Sequence, residues 1–310
     1  KNRSPWFRGS LDGCRRLLRS PRSRKPEISS RLPRSWGVLL KGPSALRMPP
    51  PISRRITLTD APCIVHMQKM LREFADRDVL SLSQGVVHWT PPQTAIENAI
   101  SQLTKSASEV HRYGPDEGSA ELRSKLVEKI ARENGLTAAD NDVFITVGAN
   151  QAFVNLCLAL FDPGDGVVLF RPFYFNHYMA CQMTNLVPCL CDTTDELRPD
   201  MAALRRLLES SSSNVRAVSV VNPGNPTGIL LTRAELEELS SLCRERGIWL
   251  IVDNTYEHFL WTDSDGDCDG DNGSRRHMCV EGDHVVNIFS FSKAYGMMGW
   301  RIGYLCFPMA

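Results

Sequence analysis

Short apolar runs and longer segments of helical period alternate along the second half of the chain. The apolar runs predict strands buried on both faces, at residues 143–147, 167–170, 186–190, 217–221, 249–252, 285–289 and 302–306. Helical patterns occur at residues 64–74, 94–103, 120–134, 151–161, 201–208 and 233–246. Because alternating strands and helices are typical of α/β domains, we predict a three-layer α/β/α domain around a mainly parallel seven-stranded sheet.

Four polar segments follow directly after predicted strands. They are Gly-Ala-Asn-Gln at residues 148–151, Asn-Pro-Gly-Asn-Pro-Thr-Gly at 222–228, Asp-Asn-Thr-Tyr at 253–256 and Ser-Phe-Ser-Lys at 290–293. Ligands of open parallel sheets bind beyond the carboxyl ends of the strands. These four segments are therefore the candidate site.

Lys293, Asp253 and Tyr256 are the candidate reactive groups. A lysine directly after an apolar strand is poorly solvated, which favours its neutral amine and makes it a candidate nucleophile toward a carbonyl group. The alternative is that Lys293 caps the strand and points to solvent. Asp253 follows four apolar residues, so its carboxylate could form the floor of a cleft or simply cap a turn. Tyr256 could place a phenol in the same cleft or pack in the core.

A second group of residues can bind an anion or approach a ligand closely. Residues 148–151 end a strand and open a helix, so their backbone N–H groups and the helix dipole favour a phosphate. Arg301 can bind a dianionic phosphate with its planar guanidinium, unless it is an ordinary surface arginine. The loop at 222–228 presents the amide of Asn225, although a rigid turn alone would explain the same residues. Gly85 would let the backbone approach a ligand, or marks a simple turn.

Composition and charge exclude several classes of function. A formal net charge of +1 over 310 residues gives no electrostatic reason to expect a nucleic-acid partner. No apolar run approaches the roughly 18 residues that a membrane helix needs. The ten cysteines include no C-x-x-C pair, which argues against a zinc site and favours a reducing compartment. An acidic insertion at residues 263–273 resembles the start of a calcium loop, but Arg276 stands where a bidentate glutamate is required, so we expect a solvated, disordered loop and no metal.

The first 50 residues differ from the rest, with 13 Lys or Arg against two acidic residues. This composition resembles an organellar transit peptide, while Met48 allows the alternative of a non-native extension before a true start. We expect residues 1–50 to be a disordered basic extension, residues 51–90 to belong partly to a small domain, and residues 91–310 to form the large domain. The expected location is the cytoplasm, or a plastid or mitochondrion if residues 1–47 are a transit peptide.

Three motifs in a fixed order carry a specific resemblance. They are the segments at 222–228 and 253–256, followed by Ser-Phe-Ser-Lys-Ala-Tyr-Gly-Met-Met-Gly-Trp-Arg-Ile-Gly at 290–303. With these motifs, residues 54–308 resemble the fold-type I, class I/II pyridoxal-phosphate aminotransferases. Ser-Gln-Gly-Val-Val-His-Trp at 83–89 and Tyr-Gly-Pro-Asp-Glu-Gly at 113–118 are similar to the plant aromatic aminotransferases, which act on aromatic amino acids and methionine.

The resemblance implies a role for each candidate residue. Lys293 would carry pyridoxal 5'-phosphate as an internal aldimine and then move the proton between the substrate's α-carbon and the cofactor. Asp253 would keep the pyridine nitrogen protonated, while Tyr256 and Asn225 would bond to the phenolic oxygen. Further cofactor contacts would come from Tyr174 as a stacking ring, from Ala149, Asn150, Ser290, Ser292 and Arg301 on the phosphate, and from Tyr113 of a partner subunit in a homodimer. The residues on the substrate side would be Gly85, Trp89 and Asn225.

The implied activity is transamination between an aromatic amino acid or methionine and a 2-oxo acid, by ping-pong exchange. The same cofactor residues would serve a pyridoxal-phosphate lyase of the aminocyclopropane-carboxylate synthase or carbon–sulfur lyase type. In this family a C-terminal small domain supplies the arginine that binds the substrate carboxylate, and Ala310 precedes that domain. We therefore expect an incomplete small domain and little turnover by residues 1–310 alone. An inactive fragment that only dimerises is a third alternative.

Overall fold

The computed structural model of the chain describes residues 50–105, 109–210, 214–260 and 277–309. The acidic insertion and residues 1–49 of the basic extension lie outside these ranges, so the expected disorder of both stays a prediction. The chain divides into two units, residues 1–54 and 55–310, and the second carries the sheet. Among the described helices, none is long and apolar enough to cross a membrane.

One seven-stranded sheet forms the centre of the second unit. Its strands are β1 (Asn141–Thr146), β2 (Gly166–Phe170), β3 (Val187–Cys191), β4 (Val215–Val221), β5 (Trp249–Asp253), β6 (Val285–Ser290) and β7 (Gly303–Pro308). The spatial order is β1-β7-β6-β5-β4-β2-β3. Strand β7 is antiparallel to both of its neighbours, and every other pair is parallel. The seven predicted strands and the mainly parallel sheet are confirmed.

The described helices are α1 (Arg54–Leu58), α2 (Cys63–Glu73), α3 (Gln93–Thr104), α4 (Ala120–Asn134), α5 (Gly148–Leu160), α6 (Phe175–Met183), α7 (Met201–Ser210) and α8 (Arg233–Arg246), with a 3₁₀ turn at Glu109–His111. The six predicted helices are confirmed. Helix α6 has no counterpart among them because its apolar residues show almost no helical period. The topology nevertheless requires a crossover there, since β2 and β3 are parallel neighbours joined by a short stretch of chain.

Alternate residues of the central strands pack into two different apolar clusters. Val218 of β4 and Leu250 of β5 lie in a cluster with helices α7 and α8. Ala217 and Ile251, their chain neighbours, lie in a second cluster with helices α5 and α6. Successive strand residues point to opposite faces, so helices cover both sides of the sheet and the three-layer prediction is confirmed. Burial of a leucine or isoleucine side chain such as that of Ile251 stabilises the fold by about 1.5–3 kcal/mol.

The topology decides where the site lies. Strands β1, β4, β5 and β6 are mutually parallel in direction, so the segments that follow them meet at one edge of the sheet. Strand β7 runs the opposite way, which brings Arg301, two residues before its start, to the same edge. The two edge strands, β1 and β3, depart from the predicted burial on both faces, because several of their residues are only partly buried. In β3, Val187 is 38% exposed.

Candidate active site

A cleft lies at the carboxyl edge of the parallel strands. It brings together ten of the residues predicted from the sequence: Ala149, Asn150, Tyr174, Asn225, Asp253, Tyr256, Ser290, Ser292, Lys293 and Arg301. Val221, Thr255 and Met298 complete its lining. Segments that are far apart in the chain therefore form one continuous wall around a common space.

Asp253 forms the floor of this cleft. It is the last residue of β5 and is only 2% exposed. Its Oδ1 accepts hydrogen bonds from the backbone N–H of Thr255 at 3.0 Å and from the Thr255 hydroxyl at 2.6 Å. Its Oδ2 lies 3.2 Å from Nε2 of His177, whose ring stacks on Phe153 with centroids 3.9 Å apart. Thr255 therefore fixes one oxygen of the carboxylate, and the His177 ring lies beside the other.

Thr255 and His177 are absent from the predicted site residues. Thr255 lies two residues after Asp253 in the Asp-Asn-Thr-Tyr motif. The sequence alone could therefore have identified it as a neighbour of Asp253. His177 lies on α6, the helix without a helical period, and no local pattern marks it. Its position beside Asp253 follows from the packing of α6 against α5.

Tyr256 and Asn225 form a polar pair on one wall. The side-chain amide of Asn225 donates to the phenolic oxygen of Tyr256 at 3.2 Å. Burial raises the pKa of Tyr256 to about 12, so the phenol keeps its proton at neutral pH and can donate a hydrogen bond into the cleft. The Tyr256 ring therefore does not serve only to pack the core.

Tyr174, the residue just before α6, also lines the cleft. Its hydroxyl donates to Oδ1 of Asn150 at 3.3 Å and accepts a hydrogen bond from the side-chain amide of Asn176 at 2.7 Å. Burial raises the pKa of this phenol as well. These two bonds orient the ring beside the first turn of α5.

The amine of Lys293 lies inside the cleft and is partly buried. Its Nζ donates a hydrogen bond to the backbone carbonyl of Gly85. The pKa of Lys293 is lowered, first by burial and then by the positive charge of Arg301. The capping alternative therefore does not describe this side chain, because its amine turns toward the cleft and toward Gly85.

The first turn of α5 and Arg301 lie close together, and together they could hold an anion. Helix α5 begins at Gly148, and the first N–H groups of a helix have no partner within it. The Arg301 guanidinium lies so close to Gly148 that a Cβ there would collide with it. A Cβ on Gly303 would lie 2.7 Å from the carbonyl carbon of Gly148 and 2.8 Å from the nitrogen of Ala149. Two glycines thus allow strand β7, its preceding arginine and the helix start to approach one another.

The predicted substrate-side residues lie next to the lysine turn. The indole Nε1 of Trp89 donates to the carbonyl of Ala294 at 3.0 Å, and the indole ring stacks on Phe259 with centroids 6.2 Å apart. Together with the contact of Gly85 to Lys293, this places residues 85–89 along the Lys293 turn. Tyr113 is fully exposed in the single chain and does not line the cleft, so its contact with a partner's cofactor stays a prediction.

Comparison with known proteins agrees with this geometry. The profile of the family described as "Aminotransferase class I and II" matches residues 77–310. The chain belongs to this family. The sequence resemblance to class I/II aminotransferases is therefore confirmed, and every residue of the cleft lies inside the matched range.

Individual aminotransferases are similar over most of the chain. The Arabidopsis thaliana protein named "Aromatic aminotransferase ISS1" is 46% identical over 258 residues, which cover 83% of this chain and 61% of that protein. The Thermus thermophilus "Aspartate/prephenate aminotransferase" is 32% identical over 233 residues, covering 74% and 57%. The solved aspartate aminotransferase of Thermus thermophilus with maleate superposes with a TM-score of 0.70 at 28% identity, covering 83% and 65%. The chain thus spans less than two thirds of the length of these relatives.

Proposed function

We propose that this protein catalyses pyridoxal-phosphate-dependent transamination between an aromatic amino acid or methionine and a 2-oxo acid. The observation that carries the proposal is the meeting of three groups in one cleft: the Lys293 amine with its lowered pKa, the buried Asp253 carboxylate and the anion site at the start of α5. An amine nucleophile, a carboxylate for a cationic ring and a phosphate site are the groups that this cofactor requires.

The residues of the cleft fit pyridoxal phosphate. The N–H groups of Ala149 and Asn150, the hydroxyls of Ser290 and Ser292 and the Arg301 guanidinium would hold the phosphate. Asp253 would pair with the ring nitrogen, Tyr256 and Asn225 would bond to the phenolic oxygen, and Lys293 would provide the covalent link. The close approach that Gly148 and Gly303 permit supports this fit, because side chains there would push Arg301 and β7 away from the helix start.

The chain's own residues would then perform the proton chemistry. When bound, pyridoxal phosphate supplies an electron-withdrawing ring that takes up the electron pair left when a proton leaves the substrate's α-carbon. Asp253, fixed by Thr255, keeps a proton on the ring nitrogen. Lys293 accepts and returns the α-carbon proton at Nζ, which its lowered pKa favours. Tyr256 stays protonated and donates a hydrogen bond from its phenol.

Two observations support aromatic substrates. The relative with 46% identity is named an aromatic aminotransferase. Trp89 and Phe259 stack beside the Lys293 turn, which provides an aromatic surface that a substrate ring can pack against. The relatives described above are all named aminotransferases, which favours transamination over the lyase and the inactive alternatives.

We also propose a homodimer in which Tyr113 reaches the partner's cofactor, and a cytoplasmic location. The full exposure of Tyr113 in the single chain supports the first part. Light scattering measures the oligomeric state. A Tyr113→Phe variant that forms the dimer but binds the cofactor more weakly would support the contact.

The proposed cytoplasmic location is tested with a fluorescent fusion of the protein, with and without residues 1–47. Import of the fusion into an organelle would contradict it.

Cofactor uptake by residues 1–310 is the first test of the function. The chain is mixed with pyridoxal phosphate, reduced with borohydride and digested, and mass spectrometry should find the label on Lys293. Lys293→Ala should lose this label, whereas Lys125→Ala, at an exposed lysine paired with Glu128, should keep it. A label that survives in Lys293→Ala would overturn the assignment of the lysine.

Turnover by the full gene product is the second test. An aromatic amino acid or methionine is supplied with a 2-oxo acid, and both products are measured. Transamination returns the new 2-oxo acid together with the new amino acid in equal amounts. Release of ammonia or of a cleaved side chain without the second amino acid would identify a lyase instead.

A further inference from the structure

A buried ionic network lies behind the wall of the cleft that carries Tyr256. Nζ of Lys129 on α4 lies 2.5 Å from Oε2 of Glu257 and 2.9 Å from Oδ1 of Asn134. The amide of Asn134 donates to the same Glu257 oxygen at 2.8 Å. The side chains of Lys129 and Glu257 are 11% and 5% exposed, and none of the three residues lines the cleft. The network is therefore separate from the groups assigned above.

The network also reaches the loop that carries Asn225. The amide of Asn134 donates to the backbone carbonyl of His277 at 3.2 Å. Nε2 of His277 lies 3.0 Å from the backbone carbonyl of Asn222 and donates to it, because a carbonyl oxygen can only accept. Oδ1 of Asn222 accepts from the N–H of Leu231 at 2.8 Å, which closes the 222–231 loop. One chain of buried bonds thus connects the start of this loop to Glu257.

These contacts bear directly on the polar pair in the cleft. Glu257 is the residue after Tyr256, and Asn222 is three residues before Asn225. The hydrogen bond between Tyr256 and Asn225 joins residues 31 positions apart, so each loop must be held separately for their 3.2 Å contact to persist. The burial of two charges costs free energy that their attraction does not always offset. A role in holding the Tyr256 and Asn225 loops in position explains why the buried pair of Lys129 and Glu257 occurs here despite its cost in free energy.

Lys129 extends the network to the lysine strand. Its Nζ lies 4.8 Å from the centroid of the Phe289 ring, a cation–π contact. Phe289 is in β6 and precedes Ser290, the first residue of the Ser-Phe-Ser-Lys segment. The same ammonium group therefore touches the loop of Tyr256 and the strand that leads to Lys293.

We propose that Lys129, Asn134 and Glu257 are positioning residues that hold Tyr256 and Asn225 in register across the cleft. The inference rests on the proposed function only for the identity of the ligand that these two residues face. Their mutual arrangement is a property of the chain itself. It is therefore tested both without the cofactor and with it.

Hydrogen exchange of the cofactor-free chain is the first test. Glu257→Gln keeps the shape of the side chain and removes its charge, and it should speed exchange in residues 254–260 and also in residues 222–231. The control is Glu128→Gln, which removes a carboxylate from helix α4 beside Lys129, at an exposed pair with Lys125, and it should leave both segments unchanged. Faster exchange in 254–260 alone would contradict a shared network.

A double-mutant cycle with pyridoxal phosphate is the second test. Glu257→Gln should raise the Kd for the cofactor about tenfold in the normal chain but less than about twofold in a Tyr256→Phe background. The absorbance maximum of the bound cofactor should move toward that of Tyr256→Phe. An equal loss of affinity in both backgrounds, with an unchanged spectrum, would mean that Glu257 acts only on stability.

A second variant covers the case in which Glu257→Gln does not fold. Removing one partner of a buried ion pair is strongly destabilising. If Glu257→Gln does not fold, the same measurements are made on Lys129→Met combined with Glu257→Gln, which removes both charges of the pair. Uptake of pyridoxal phosphate by the unaltered chain tests the proposed function independently of the network. If that uptake fails, hydrogen exchange in the two segments still decides the network.

Discussion

The amine of Lys293 donates a hydrogen bond to the carbonyl oxygen of Gly85, 208 residues earlier in the chain. A Cβ added to Gly85 would lie 3.4 Å from this amine. The segment that carries Gly85 and Trp89 therefore covers the reactive nitrogen from outside the sheet. The size of the residue at position 85 should control access to the amine.

We expect Gly85→Val to slow covalent uptake of pyridoxal phosphate by Lys293 about tenfold or more, because displacement of the reacting atom by about 1 Å is costly. Gly85→Ala is the matched control, since its methyl group meets the amine at ordinary contact distance and should change the rate less than about threefold. Stopped-flow absorbance measures both rates. Equal rates in the two variants would show that position 85 does not control access.

Arg301 should discriminate between phosphorylated and unphosphorylated forms of the cofactor. We expect Arg301→Met to weaken binding of pyridoxal phosphate about 10- to 100-fold, the loss of hydrogen bonds to a charged group. Binding of pyridoxal, which has no phosphate, should change little. Titration with both compounds checks the difference, and an equal loss for both would place Arg301 outside the phosphate site.

The lowered pKa of Lys293 predicts a pH dependence with a definite sign. Covalent uptake needs the neutral amine, so its rate should reach half of its maximum at a pH below about 10.4, the ordinary lysine value. Arg301→Met removes one of the two causes of the lowered pKa, so the half-maximal pH should rise. Uptake is measured with pyridoxal from neutral to alkaline pH, because Arg301→Met should weaken binding of pyridoxal phosphate but not of pyridoxal. A fall of the half-maximal pH in Arg301→Met would contradict the electrostatic explanation.

The close approach of β7 to the start of α5 should require glycine at position 303. We expect Gly303→Ala to lower the free energy of unfolding by about 1–3 kcal/mol, because the new methyl group meets backbone atoms that must move apart. Gly299→Ala is the control, in the turn just before β7, where a Cβ meets no atom within 4 Å. Chemical denaturation compares the two. Comparable stability of both variants would show that the helix start can shift at little cost.

The variants Gly303→Ala and Gly299→Ala also test the anion site at the start of α5. Gly303→Ala should also weaken binding of pyridoxal phosphate, because the displaced N–H groups at the start of α5 would no longer face the phosphate. Gly299→Ala should bind it normally. Loss of stability without loss of affinity would separate the packing role of Gly303 from a role in the site.

The sequence by itself determines the strands, most helices and the identity of the main site residues. Apolar runs such as the one before Asp253 are local patterns, and the burial that they require is the same in any α/β sheet. Because the strands are parallel, the residues after them meet at one edge, so Asn225, Asp253 and Lys293 can be grouped without coordinates. The same reasoning places the anion site at the start of α5.

The tertiary structure alone decides the contacts between segments that share no local pattern. Helix α6 has no helical period, so neither the helix nor His177 beside Asp253 follows from the sequence. The pairing of Lys129 with Glu257 joins residues 128 positions apart, and a charged residue in a helix is ordinarily read as exposed. Such contacts depend on how whole elements pack, which hydrophobic periodicity does not encode. The orientation of Lys293 toward Gly85, rather than toward solvent, was decided in the same way.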